Sequence, residues 1–141
     1  MADPFELQRF VDAQNGTYIR ALEELWRGRK ESHWMWFVFP QLKGLGSSPM
    51  AQHYAIASLD EARAYLAHPV LGARLREAAA AVNATQGRTA REIFGATDDL
   101  KFRSSMTLFR EAAPEEPVFG EALSRYYSGE PDPRTLELLR A

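Results

Sequence analysis

Helix-starting signals recur along the whole chain, whereas the alternating apolar and polar runs of a strand are almost missing. Asp3-Pro4-Phe5-Glu6 supplies a cap, a proline at the first helical position and a glutamate three residues after the cap. The spacing predicts a helix from there to about Gln14, stopped by Asn15-Gly16. Thr17 to Arg27 is predicted as a second helix, with Tyr18, Leu22, Leu25 and Trp26 along its apolar side and Gly28 at its end. Ser58-Leu59-Asp60-Glu61 has capping-box spacing before a helix to Ala67. His68-Pro69 resets the chain, and His68 at that junction reads as a cap. Alanine-rich helix follows from Val70 to Val82. Thr89-Ala90-Arg91-Glu92 repeats the box, and Gly95 closes that short turn. Thr97 is expected to cap a longer helix to about Ala112, and Pro117–Tyr127 and Pro133–Arg140 complete the set. The expectation is an all-α, compact, single-domain bundle of about eight short helices spanning residues 1–141.

One segment is ambiguous by pattern. Trp34–Phe39 is a run of six apolar residues, which fits a buried strand or a buried helix equally. No partner strand is visible, and a lone strand leaves its backbone groups unpaired, so a short helix is expected. The run lies in a wider block, Ser32 to Leu59, whose only formal charge is Lys43. Such a block can be removed from water at little electrostatic cost. The charge elsewhere is uneven: residues 61–110 carry eight Lys/Arg against five Asp/Glu, and 111–141 carry three against seven. A net charge of −2 gives no global field for nucleic acid or anionic membrane. A nucleic-acid surface would rest on Arg63, Arg74, Arg76, Arg88, Arg91 and Arg103, against the acidic balance. There is no basic-then-apolar leader pattern and no apolar run of spanning length, so a cytoplasmic, soluble protein is expected. With zero cysteines, disulfides, thiol nucleophiles and Cys-based metal sites are excluded.

Chemistry is expected where polar side chains border dense apolar surface. In the charge-free block these are His33, Gln41 and Lys43 beside the aromatic run. Trp34, Phe37 and Val38 are assigned to the core, and Trp36 to a cleft. The run Gly44–Pro49 resembles a phosphate-cradling loop in composition, with Gly44 and Gly46 letting backbone N–H groups approach an anion. In the helix after Thr97, Phe102, Met106 and Phe109 form an apolar stripe, and Asp98, Lys101 and Ser105 follow its edge at spacings of three and four. His33, His53 and His68 lack ligand spacing, and no metal or cofactor is expected.

The blocks "HWMWFVFPQLKGLG", "YAIASLDEARAYLAHPVLGARL" and "IFGATDDLKFRSSMTLF" resemble a bacterial family of conserved hypothetical proteins of unknown function, often labelled calpastatin-like. The resemblance runs from "DPFELQRFVDAQ" to at least Phe109 and implies a single all-α domain. The calpastatin label carries no functional meaning here, because calpastatin's inhibitory regions are intrinsically disordered and this chain is rich in aromatics and helix caps. A looser similarity, centred on Lys101-Phe102, is to the NADAR proteins of nucleotide and ADP-ribose metabolism.

These readings converge on a pocket walled by residues 33–46 and rimmed by the 97–112 helix, binding a small polar or nucleotide-like molecule. Trp36 is assigned to stacking, Gln41 to directional hydrogen bonds, and Lys43 or Lys101 to an anionic group, with Gly44, Gly46 and Ser105 completing the wall and rim. If the site is hydrolytic, acting on a nucleotide or ADP-ribosyl N-glycosidic bond, His33 or Asp98 carries the proton. The alternative class is a non-catalytic protein-interaction module. His33, Gln41 and Lys101 around one cleft are what the pocket requires.

Overall fold

In a computed structural model describing residues 2–140, the chain opens on a turn that Asp3 organises. Its carboxylate accepts from Leu7 N and Gln8 N, at 2.8 and 3.0 Å. Helix α1 (Gln8–Gln14) therefore starts later than predicted, because Glu6 adopts φ 53° and breaks the helical path between Pro4 and Leu7. The remaining helices among the described residues are α2 (Tyr18–Trp26), α3 (Met35–Val38), α4 (Pro49–His53), α5 (Leu59–Ala67), α6 (Leu71–Ala84), α7 (Ala90–Phe94), α8 (Asp98–Ala112), α9 (Pro117–Tyr127) and α10 (Pro133–Arg140). There are ten rather than eight, and there is no strand among the described residues. A single isolated pairing of Leu42 with Ile56 ties the loop after α3 to the loop after α4.

Local chemistry explains the helix starts. Thr89 and Glu92 close a full capping box at α7. At α5 only half of it forms. Ser58 accepts from Glu61 N, but the Glu61 carboxylate takes Ala57 N and an ion pair with Arg9 at 2.9 Å. His68 caps α6 through its ring, Nδ1 accepting from Val70 N and Leu71 N. Thr97 makes no side-chain cap. Its backbone is already helical, and Asp99 N donates back to Gly95 O. Ser48-Pro49, read from sequence as part of a turn, is the cap and first residue of α4.

The core is one contiguous cluster. Helix α8 packs on α5, α7, α9 and α10, and α6 packs on α2, α5 and α9. Phe102, Met106 and Phe109 are fully buried, as their spacing predicts, and so are Trp34 and Phe39. Phe39 meets the rings of Trp34, Phe94 and Phe102 with centroids 6.2, 6.1 and 4.9 Å apart. The apolar run thus enters the core as a single helical turn. One predicted face is wrong. Tyr18 and Leu25 of α2 are buried, but Trp26 is 61 % exposed, because the buried side of that helix is centred on Ala21 and Leu25.

Candidate functional site

The wall of the site is fixed by a ladder of polar contacts that begins in α2. Glu24, nearly fully buried, accepts from Glu31 N, Ser32 N, Ser32 Oγ and the Trp34 indole Nε1 at 2.5–3.0 Å. Burial alone would raise the pKa of this carboxyl. The hydrogen bonds outweigh it, Ser32 leading, and bring the value down to about 2. The ionised carboxylate orients Trp34 and so sets the start of α3. Next to it, Lys30 Nζ lies 5.1 Å from the Trp34 ring centroid, donates to Ser32 O, and pairs with Asp98 Oδ2 at 2.9 Å. Asp98 also meets Lys101 Nζ at 3.4 Å, and that ammonium sits 5.5 Å from the Trp36 ring centroid. A chain of alternating charges and aromatic faces therefore runs from α2 through the first turn of α8 to α3.

At its end is a small cavity of about 10 Å³, lined by Met35, Trp36, Phe39, Gln41, Ala51, Tyr54 and Lys101. Gln41 lines it where the chain, after Pro40, is pinned by Ile56 N donating to Gln41 O. The fold thus brings Trp36, Gln41 and Lys101 together across sixty residues of sequence. Gly46 belongs to the same corner. A Cβ there would lie 2.5 Å from Ala51 Cβ and 3.6 Å from Gln41 Nε2, so glycine lets the loop lie against α4.

Several expected members lie elsewhere. His33 is exposed and does not line the cavity. Lys43 is exposed and borders a different, shallow depression with Ser58, Asp60 and Leu138. Gly44 adopts φ 103° and faces Leu138, so its role is the shape of the turn. Ser105 is fully buried and its hydroxyl has no hydrogen-bond partner, which places it inside the core rather than on a rim. Asp98 is held between two ammonium groups, those of Lys30 and Lys101. Sequence reasoning missed Lys30 and Tyr54. Lys30 is the last basic residue before the charge-free block, a position that marks a charge entering apolar surroundings. For Tyr54 nothing beyond its aromatic character pointed to the cavity. No three metal-ligating side chains converge among the described residues.

The architecture is therefore that of a small all-helical domain with one aromatic-floored, cation-edged cavity. Residues 4–139 match the model of a family described as "Protein of unknown function (DUF1810)", and the chain belongs to that family. It is also similar to a solved structure, the crystal structure of the conserved hypothetical protein Rv1873 from Mycobacterium tuberculosis. That similarity has 56% sequence identity, covers 99% of each chain and gives a TM-score of 0.97. No curated protein matches the chain. The expected all-α fold and family are thereby established. Among the described residues no helix is long and apolar enough to cross a membrane.

Proposed function

We propose that this domain binds a small polar ligand through an anionic group seated between Lys101 and Gln41, with the planar part of the ligand against Trp36. The observation that carries the reading is the meeting of a cation, an amide and an indole on one apolar floor formed by Met35 and Phe39. That is the usual composition of a ligand site, an apolar lining with a few convergent polar groups. Its size refines the ligand class. A cavity of about 10 Å³ takes one water-sized group. A carboxylate or phosphoryl oxygen enters it, and the body of a nucleotide-like molecule stays outside or displaces the side chain of Lys101. Hydrolysis finds less support. His33 does not line the cavity, and both carboxylate oxygens of Asp98 are taken up by Lys30 and Lys101.

Thermal unfolding with ADP-ribose, AMP and inorganic phosphate as probes tests the reading. A ligand at a hundred times its Kd stabilises by about 2.7 kcal/mol, which raises the melting temperature by several degrees. Lys101→Ala and Gln41→Ala are expected to remove that rise while keeping the helical spectrum, since Asp98 retains Lys30. A rise that persists in Lys101→Ala, or no rise with any of the three probes, overturns it.

A further inference from the structure

Away from the cavity, the outer face of α2 is apolar where a solvated helix should be polar. Ile19 is 67 % exposed and Trp26 61 % exposed. Seven residues apart, they lie on one side of the helix about 10 Å from each other, with the half-buried Leu22 between them. Large apolar side chains aligned on one helix face, unlike a single exposed one, mark a surface that another molecule covers. Glu23 shares this face and is loosely paired with Arg27 at 3.8 Å.

The C-terminal end of that face runs into a cationic groove. Trp26, Arg27 and Gly28 form one wall of a 300 Å³ concavity whose other wall holds Thr85 and Arg88. Gly28 adopts φ 75°, and a Cβ there would sit 3.2 Å from the Arg88 Cδ, so the glycine is what lets Arg88 lie beside α2. A second depression of 420 Å³ shares Thr85 and Arg88 and continues to Arg125 and Tyr126. Arg125 is steadied by donating to Thr85 O. Neither Arg88 nor Arg125 has a carboxylate within ion-pair distance among the described residues. Arg76, Arg63 and Arg103, by contrast, are paired with Glu116, Asp60 and Glu130. Glu92, the nearby acid, is occupied in its capping box.

We propose that this surface docks an acidic amphipathic segment of a partner protein. Its apolar residues cover Ile19, Leu22 and Trp26, and its carboxylates meet Arg27, Arg88 and Arg125. Charge complementarity fixes the sign of the partner, and the apolar stripe fixes its class. A polyanion such as single-stranded nucleic acid would use the arginines and stack on Trp26, but it leaves Ile19 and Leu22 without a role. Tryptophan and arginine are the side chains that most often dominate binding energy at protein interfaces, and an apolar helix face with flanking charge is a common mode of peptide recognition.

A random-peptide library displayed on phage, selected on the full chain, tests this. Enriched peptides should combine apolar residues at helical spacing with Glu or Asp. Measured by fluorescence anisotropy, the best peptide should lose about tenfold or more in affinity for Trp26→Ala and for Arg88→Glu/Arg125→Glu. Its Lys-substituted counterpart should prefer the Arg88→Glu/Arg125→Glu chain over the unaltered one, which no folding defect can mimic. Lys101→Ala should bind unchanged, separating this surface from the cavity. The proposal fails if no peptide is enriched, if enriched peptides lack acidic residues, or if charge reversal is without effect. It also fails if oligothymidylate alone binds in an Arg88-dependent way, or if sedimentation shows Trp26-dependent self-association instead.

Discussion

Glu24 is the residue whose ionisation the fold depends on most. Its carboxyl titrates near 4.5 in an open chain and near 2 in the folded protein. A depressed folded value means the stabilisation is fully present above the unfolded pKa and is lost as pH falls from about 4.5 towards 2. The shift corresponds to about 3 kcal/mol at neutral pH. Glu24→Gln should therefore lower stability at pH 7 and flatten its decline in acid, because the amide presents N–H groups to donors from Ser32 and Trp34. Urea unfolding of both chains between pH 7 and 3 measures this; parallel curves would refute it. Ser105 predicts the opposite sign. Its hydroxyl is buried without a partner, so Ser105→Ala should leave stability unchanged or raise it by about 1 kcal/mol. A clear loss of stability would mean that the hydroxyl has a partner after all.

Among the elements, side-chain caps separate helices that need their first residue from those that do not. The Thr89 hydroxyl accepts from Glu92 N while the Thr89 N–H donates to the Glu92 carboxylate, so Thr89→Ala should cost about 1 kcal/mol. Thr97→Ala should stay within about 0.5 kcal/mol, because Thr97 caps nothing. Equal losses in thermal melts would contradict the distinction. The two threonines look alike in sequence; what differs is that the chain turns sharply before Thr89 and is already coiling at Thr97. This is where local reading reached its limit. Periodicity and caps were enough for α2 and for the long helices α6, α8 and α9, whose signals lie within their own segments. Helix α4 was overlooked because Ser48-Pro49 follows two glycines and looks like a turn, and Trp26 was misassigned because four apolar residues on α2 span more than its buried face. The site was legible to the same degree. Trp36 and Lys101 were readable from their positions beside apolar stripes, whereas the direction in which His33 and Lys43 leave the chain depends on turns that only the packed loop defines.

At the scale of the molecule, the helices are too short to stand alone. Only α6, with 14 residues, and α8, with 15, reach the length at which an isolated helix is marginal in water. The others hold their shape through the shared core, which the charge-free block enters between Trp34 and Leu42 and again at Ile56. Phe39, at the end of α3, packs against Phe94 of α7 and Phe102 of α8. With one contiguous core, helix loss and core opening should be one event. In urea, far-ultraviolet circular dichroism and tryptophan fluorescence should give the same midpoint. Trp34→Ala, which empties a fully buried site and strips Glu24 of a donor, should move the circular-dichroism midpoint and cost about 3–5 kcal/mol. Two separated transitions in the unaltered chain, or a Trp34→Ala variant that retains its stability, would show that the aromatic run lies on the core rather than within it.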